Sequence, residues 1–281
     1  MSQLGMLGTT NITKTNFSVI MCVYHGDNGR YFEEAFNSIL NQTIKSDDII
    51  IVVDGWIHED VESVLGKIIK YKFVRIIRLS ENQGHAKARN KGLLETKYNI
   101  VALMDADDIS LPYRFEEQLK KICDGYDVVG GQIEEFIDST NNIIGQRKVP
   151  VRHSEIIKYM KRRCPLNQMT VMFNKRSVEF SGMYMDVFCN EDYFLWIRMY
   201  LCGCKFANLN KVLCKVRVGK DLYERRGGWR YFKSEWYIQK FMLTRRIIGW
   251  HLFVFNVSVR FLVQVLMNGY MRSLFYKVLR K

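Results

Sequence analysis

Three carboxylates crowd into four positions at Asp105, Asp107 and Asp108, directly after the apolar run Ile100 to Met104. Apolar residues bounded by turn chemistry read as a buried strand. Carboxylates at the exit of such a strand repel one another unless a cation lies between them. Hard divalent cations, Mn²⁺ or Mg²⁺, prefer oxygen ligands and share them with phosphates. The cluster therefore predicts a metal–diphosphate site at the carboxyl end of a sheet, where open α/β sheets bind ligands. The competing reading is a solvated acidic turn capping a helix that starts near Pro112.

The flanking elements decide between the two. Phe17 to Tyr24 predicts a strand that ends in the turn cluster His25-Gly26-Asp27-Asn28-Gly29. A helix follows over Tyr31 to Asn41, then a strand of five aliphatics, Ile49 to Val53, ending at Asp54-Gly55. Such an unbroken aliphatic run suits a parallel strand covered on both faces. Helix Glu59 to Tyr71, strand Phe73 to Leu79, helix Gly84 to Thr96 and strand Ile100 to Met104 continue the alternation. The fold class is thus α/β: a doubly wound, mostly parallel, nucleotide-binding sheet. Beyond the acidic turn the pattern predicts a helix over Pro112 to Cys123, a strand over Asp127 to Phe136 and its hairpin partner over Ile143 to Val149. Helix His153 to Lys161, strand Met169 to Phe173, helix Glu191 to Leu201 and strand Val212 to Val218 follow, and everything from Gly228 onward reads as helix.

Composition suits a globular chain: 281 residues, 48% apolar, 25% charged and only three prolines. The net charge of +13 implies an anionic partner: nucleic acid, an anionic membrane or a phosphorylated substrate. From Trp229 to Lys281 there are ten Lys or Arg and a single acid, Glu235. Seven scattered cysteines without paired spacing predict reduced thiols in a cytosolic protein, not a disulfide framework or a zinc site. The polar start, Met1 to Thr15, does not read as a signal peptide. Ile247 to Met267 is interrupted by His251, Asn256, Arg260 and Gln264, too often for a membrane span.

Five segments, in order, resemble the family 2 glycosyltransferases, inverting nucleotide-sugar enzymes of the GT-A fold. They are SVIMCVYHGDNGRYFEEAFNSILNQT, IIIVVDGW, RLSENQGHAKARNKGL, ALMDADDISLPYRFEEQL and NEDYFLWIRM, together spanning about residues 16 to 230. The ILNQT, GHAKARNKG and EDYFLW segments, with the basic tail, are closest to bacterial transferases of O-antigen, capsule or exopolysaccharide repeat units. The resemblance implies transfer of a hexose, glucose or galactose, from a UDP-sugar to a sugar on an undecaprenyl-diphosphate type lipid, giving a β-linkage. It implies Asp107, with Asp105, as metal ligands, although Asp105 could touch ribose or uracil instead, and the residues leave open which of Asp105, Asp107 and Asp108 ligates. Asp192 is implied as the general base, against the alternative that Glu191 and Asp192 only favour the positive end of a helix dipole. Val23, Tyr24, Asp54 and Arg89 are implied at the nucleotide, with Val53 standing where many members carry another Asp. His85 is placed at a phosphate or at a helix start. Arg217, Arg225 and Arg226, before Gly227-Gly228-Trp229, would form a mobile basic loop closing over the diphosphate. Its spacing departs from the motif of processive members and points to single addition.

The expected organisation is a catalytic domain over 1–228, with a nucleotide-sugar half over about 16–110 and an acceptor half over about 111–228. A basic amphipathic helical tail covers 229–281. In the tail, Asn256, Arg260 and Gln264 form one polar stripe on an otherwise apolar helix. Two placements remain: in an anionic membrane interface, which would make the protein peripheral on the inner face of the cell membrane, or packed on the catalytic domain. Nucleic acid is not an expected partner, since no nucleic-acid-binding signature accompanies the charge and such a module has no use for the acidic cluster. A different nucleotide-sugar enzyme, such as a nucleotidyltransferase, would want a Gly-rich phosphate loop near the amino terminus, and HGDNG is too short and acidic for one.

Overall fold

The computed structural model describes residues 15–219, 227–267 and 271. Strands β1 (Ser18–Val23), β2 (Asp48–Asp54), β3 (Val74–Leu79) and β4 (Ile100–Met104) alternate with helices α1 (Gly29–Leu40), α2 (Glu59–Ile68) and α3 (His85–Glu95). These four strands pair in parallel in the spatial order β3-β2-β1-β4. β2 has a strand on each side and is buried along its whole length, which explains its unbroken aliphatic run. The period of two in β1 sorts its side chains. Val19, Met21 and Val23 pack with Phe32 and Phe36 of α1 and Val61 and Leu65 of α2. Ile20 faces the other way, with Ala86 and Leu93 of α3. α3 lies so close to the sheet that a Cβ at Gly92 would sit 2.8 Å from the Ile20 Cγ2 methyl.

The second half breaks the alternation. It comprises β5 (Ile109–Ser110), α4 (Arg114–Cys123), β6 (Val128–Phe136), β7 (Ile143–Arg147), α5 (His153–Met160), β8 (Met172–Asn174), α6 (Lys175–Phe180), α7 (Glu191–Leu201) and β9 (Phe206–Arg217). The full sheet runs β3-β2-β1-β4-β8-β6-β9-β5, with β7 on β6 as the expected hairpin. β8 enters antiparallel between β4 and β6, β9 is parallel to β6, and β5 is antiparallel to β9. The strand expected over Met169 to Phe173 is a 3₁₀ turn, Gln168–Thr170, followed by β8. β9 starts at Phe206 rather than Val212. Asn208, Asn210 and Lys211 interrupt its apolar pattern, and its register against β6 shifts around Gln132.

Helices α8 (Gly228–Thr244) and α9 (Trp250–Phe261) close the described chain, and α9 runs on into a π-helical turn, Leu262–Leu266. The core continues across residue 228. Ile238, Met242, Ile247 and Ile248 lie in the same buried cluster as Trp196 of α7, and Phe194 meets Tyr237 and Phe241 edge to face. The polar stripe of α9 points inward. Asn256 Nδ2 donates to the Lys161 carbonyl at 2.9 Å and to Gln239 Oε1 at 2.8 Å, and Arg260 Nε pairs with Glu235 Oε2 at 2.6 Å. Among the described residues no helix is long and apolar enough to cross a membrane.

Candidate active site

The turn leaving β4 sorts its own carboxylates. Asp105 and Asp107 are half-buried, while Ala106 and Asp108 point inward. Asp108 Oδ1 accepts from the Arg217 backbone N–H at 3.0 Å. Burial, with the charges of Asp107 and Asp105, pushes its carboxyl well above the usual range. Asp108 therefore braces the turn, leaving Asp105 and Asp107 toward the cleft. Behind the turn, the fully buried Arg114 of α4 donates through Nη2 to the Leu103 carbonyl at 2.6 Å and fixes the end of β4.

Arg89 of α3 joins this turn to α7. Nη2 lies 3.3 Å from Asp105 Oδ1 and Nη1 lies 2.9 Å from Glu191 Oε1, with the guanidinium over the Tyr184 ring. Burial alone would disfavour its charge, but Asp105 and Glu191 outweigh that and hold it firmly protonated. Asp192, beside Glu191, is half-buried at the start of α7. Its Oδ1 accepts from the Tyr193 N–H at 2.6 Å, and the Cys164 thiol donates to Oδ2 at 3.7 Å. Burial and the adjacent Glu191 raise its carboxyl to about 6. A carboxyl poised there is deprotonated at neutral pH yet basic enough to take a proton.

Val23 and Tyr24 line a cavity with Cys22, His25, Asp54, Asn82, Gly84, His85 and Ala88 at the carboxyl ends of β1 and β2. The Tyr24 ring meets His25 and His85 edge to face. Asp54 is engaged at both oxygens, accepting from Gln83 N–H at 2.7 Å and Gly84 N–H at 2.9 Å, so it shapes the loop into α3 while bordering the cavity. Gly55 permits this approach: its φ is +81°, and a Cβ there would lie 2.5 Å from Asn82 N.

Arg217 corrects the mobile-loop expectation. It ends β9 and is nearly buried: its guanidinium pairs with Glu34 Oε2 at 2.7 Å and lies 3.7 Å from the Tyr31 ring centroid. Its Nε donates to the Asp107 carbonyl at 3.2 Å, so it clamps the acidic turn from below. Arg225 and Arg226 lie outside the described residues. Asp27 was legible only as part of a turn. Its Oδ2 accepts from Tyr24 N–H at 2.9 Å, and burial, with the charges of Asp107 and Asp105, raises it to about 7. Glu191 was legible as part of the acidic pair with Asp192, but its pairing with Arg89 was not.

Among the described residues no group of three or more His, Cys, Asp or Glu could hold a metal ion unaided. A hard divalent cation that shares its ligands with phosphate and water needs only one or two carboxylates. The oxygen-only pair Asp105 and Asp107, half-buried at the exit of β4, fits such a substrate-shared ion.

A sheet of this order, with an acidic turn at the carboxyl end of β4, the last strand of its amino-terminal parallel half, defines the GT-A class. Residues 18–184 match the model of glycosyl transferase family 2, and the chain belongs to that family and is a glycosyltransferase. It is 34% identical, over 83% of its length and 88% of the other's, to the amylovoran biosynthesis glycosyltransferase AmsE of Erwinia amylovora. It is 32% identical to a UDP-Gal:alpha-D-GlcNAc-diphosphoundecaprenol beta-1,3-galactosyltransferase of Escherichia coli, over 94% of this chain and 97% of that one. The crystal structure of S. aureus TarS 1-349 with UDP-GlcNAc shares the fold, with a TM-score of 0.66 at 16% identity over 91% of this chain and 75% of that one.

Proposed function

We propose that the chain transfers a hexose, galactose or glucose, from a UDP-sugar to a sugar carried on a lipid diphosphate, with inversion to a β-linkage, in the synthesis of a bacterial surface polysaccharide. The observation that carries the reading is the Arg89 bridge, which brings the acidic turn and the Glu191-Asp192 pair to one cleft. The Escherichia coli relative, which acts on a diphosphoundecaprenol-linked sugar, supports the acceptor class and favours galactose.

In this reading Val23, Tyr24 and Asp54 border the nucleoside, and Arg89 holds Asp105 and Glu191 in register. Asp105 and Asp107 would hold Mn²⁺ or Mg²⁺, which when bound supplies Lewis-acid stabilisation to the departing diphosphate. Asp192 takes the proton from the acceptor hydroxyl as that oxygen attacks the anomeric carbon. Inversion follows from attack on the face opposite the leaving UDP.

The test is UDP release from a panel of nucleotide sugars offered with a synthetic lipid-diphosphate sugar. UDP-galactose or UDP-glucose should turn over, and Asp107→Ala or excess chelator should abolish transfer and weaken UDP binding. Full activity under either condition overturns the metal-dependent reading; transfer to no lipid-diphosphate acceptor overturns the substrate assignment.

A further inference from the structure

α9 is amphipathic in the opposite sense to a surface helix: its polar stripe is turned into the protein and its apolar face into solvent. Trp250 is 62% exposed, Phe255 57%, Leu262 51% and Leu266 62%, with Val254 between them. Trp229, Trp236 and Tyr237 of α8 are exposed as well, and Trp229 meets Phe261 of α9 edge to face. The inward stripe is held by Asn256 and Arg260, whose bonds to Lys161, Arg162, Gln239 and Glu235 leave the helix no freedom to roll over. Large apolar side chains fixed outward in this way, interrupted among the exposed residues of α9 by His251 and Ser258, mark an interaction surface.

The charge around it selects the occupant. Between residues 229 and 267 the only acid, Glu235, is buried against Arg260, whereas Arg230, Lys233, Lys240, Arg245 and Arg246 are exposed. Arg162, at the end of α5 where α9 docks, is exposed as well. Lys240 stands over the Trp236 ring and Arg245 over Phe241, so cations and aromatics share one surface. A second copy of the chain would bring two such basic rims together.

We propose that the outward face of α8 and α9 docks on an anionic lipid bilayer, its aromatics entering the headgroup boundary and its rim of Lys and Arg meeting anionic headgroups. Docking is driven by apolar burial and by charge together. It also bears on the acceptor. Asn190, next to Glu191 and Asp192, donates to Ser234 of α8 at 2.7 Å, so the base-bearing end of α7 is fixed to the docking helices. That consequence rests on the lipid-linked acceptor of the proposed function, whereas docking itself does not.

Flotation of the full chain with vesicles, without donor or acceptor, separates the two. The protein should float with phosphatidylethanolamine–phosphatidylglycerol vesicles, far less with phosphatidylcholine, and less as salt rises. Trp250→Ser with Phe255→Ser should weaken binding about tenfold or more while the cooperative melt is kept, because both side chains lie mostly in solvent and Trp250 gives up only its stacking on Phe253. Lys240→Gln with Arg245→Gln should weaken it by about tenfold or more on the anionic vesicles alone, since each cation at such a surface is worth about a fivefold change. Failure to float, equal binding to both lipids, or a dimer in light scattering that the Trp250/Phe255 variant splits while lipid binding is absent, would overturn the proposal. The last outcome would make the face a contact between copies.

Discussion

At Arg89 one guanidinium serves carboxylates on two elements, Asp105 at 3.3 Å and Glu191 at 2.9 Å. Lysine has the charge but not the fork, and one ammonium cannot reproduce both contacts. Arg89→Lys should therefore fold and lose about tenfold or more in kcat/KM, read by steady-state kinetics; an unchanged value would mean that the bridge is only structural. Asp192 yields a paired prediction. Its carboxyl is raised from 3.8 to about 6, so the folded chain holds a proton that the unfolded chain has lost between those values. Stability falls as pH rises through that window and the penalty persists above it. Asp192→Asn should raise stability at pH 7 by about 1 kcal/mol once solvent access is allowed for, read in chemical denaturation, while lowering kcat by about 10²-fold or more. Wild-type kcat/KM should fall below about pH 6 as Asp192 gains its proton. A variant that loses both stability and donor affinity would assign Asp192 to structure.

Among the elements, β9 holds the instructive case. Its last residue, Arg217, clamps Glu34, Tyr31 and the Asp107 carbonyl. Arg217→Ala removes the ion pair and the guanidinium stacked on Tyr31 together. It should cost about 2 kcal/mol in chemical denaturation and loosen the acidic turn, raising the donor KM. In the sequence Arg217 stood near Arg225, Arg226 and two glycines and read as a loop cation, because nothing local reveals the distant Glu34. The parallel half was legible, since the aliphatic runs of β1, β2 and β4 announce strands covered on both faces. β5 is only two residues long, and β8 borrows its partners from β4 and β6, so neither carries a period to read. The acidic turn and the Glu191-Asp192 pair stood out as motifs. Their bridge through Arg89 did not, because its members lie far apart in the chain.

For the molecule as a whole, the appended helices share the core. Ile238, Met242, Ile247 and Ile248 are buried beside α7, and each such side chain is worth about 2–5 kcal/mol when lost. Together they are comparable to the whole net stability of a typical domain, about 5–15 kcal/mol. A chain ending before Gly228 should therefore fail to show a cooperative melt by circular dichroism, and one ending before Arg245, lacking Ile247, Ile248 and the Asn256 bonds, should melt at least about 10 °C lower. A truncated chain with the parental melt would return the helices to the status of an independent appendage. The +13 charge of the full chain is likewise distributed unevenly, with exposed cations gathered on these helices.

The Arg89–Glu191 contact spans 102 positions. A crossover between two related genes anywhere in that interval inherits one partner from each parent. Recombinants that exchange their second halves will thus keep a working cleft only when both parents supply a compatible pair, and a designer building hybrid transferases should move residues 89 and 191 together.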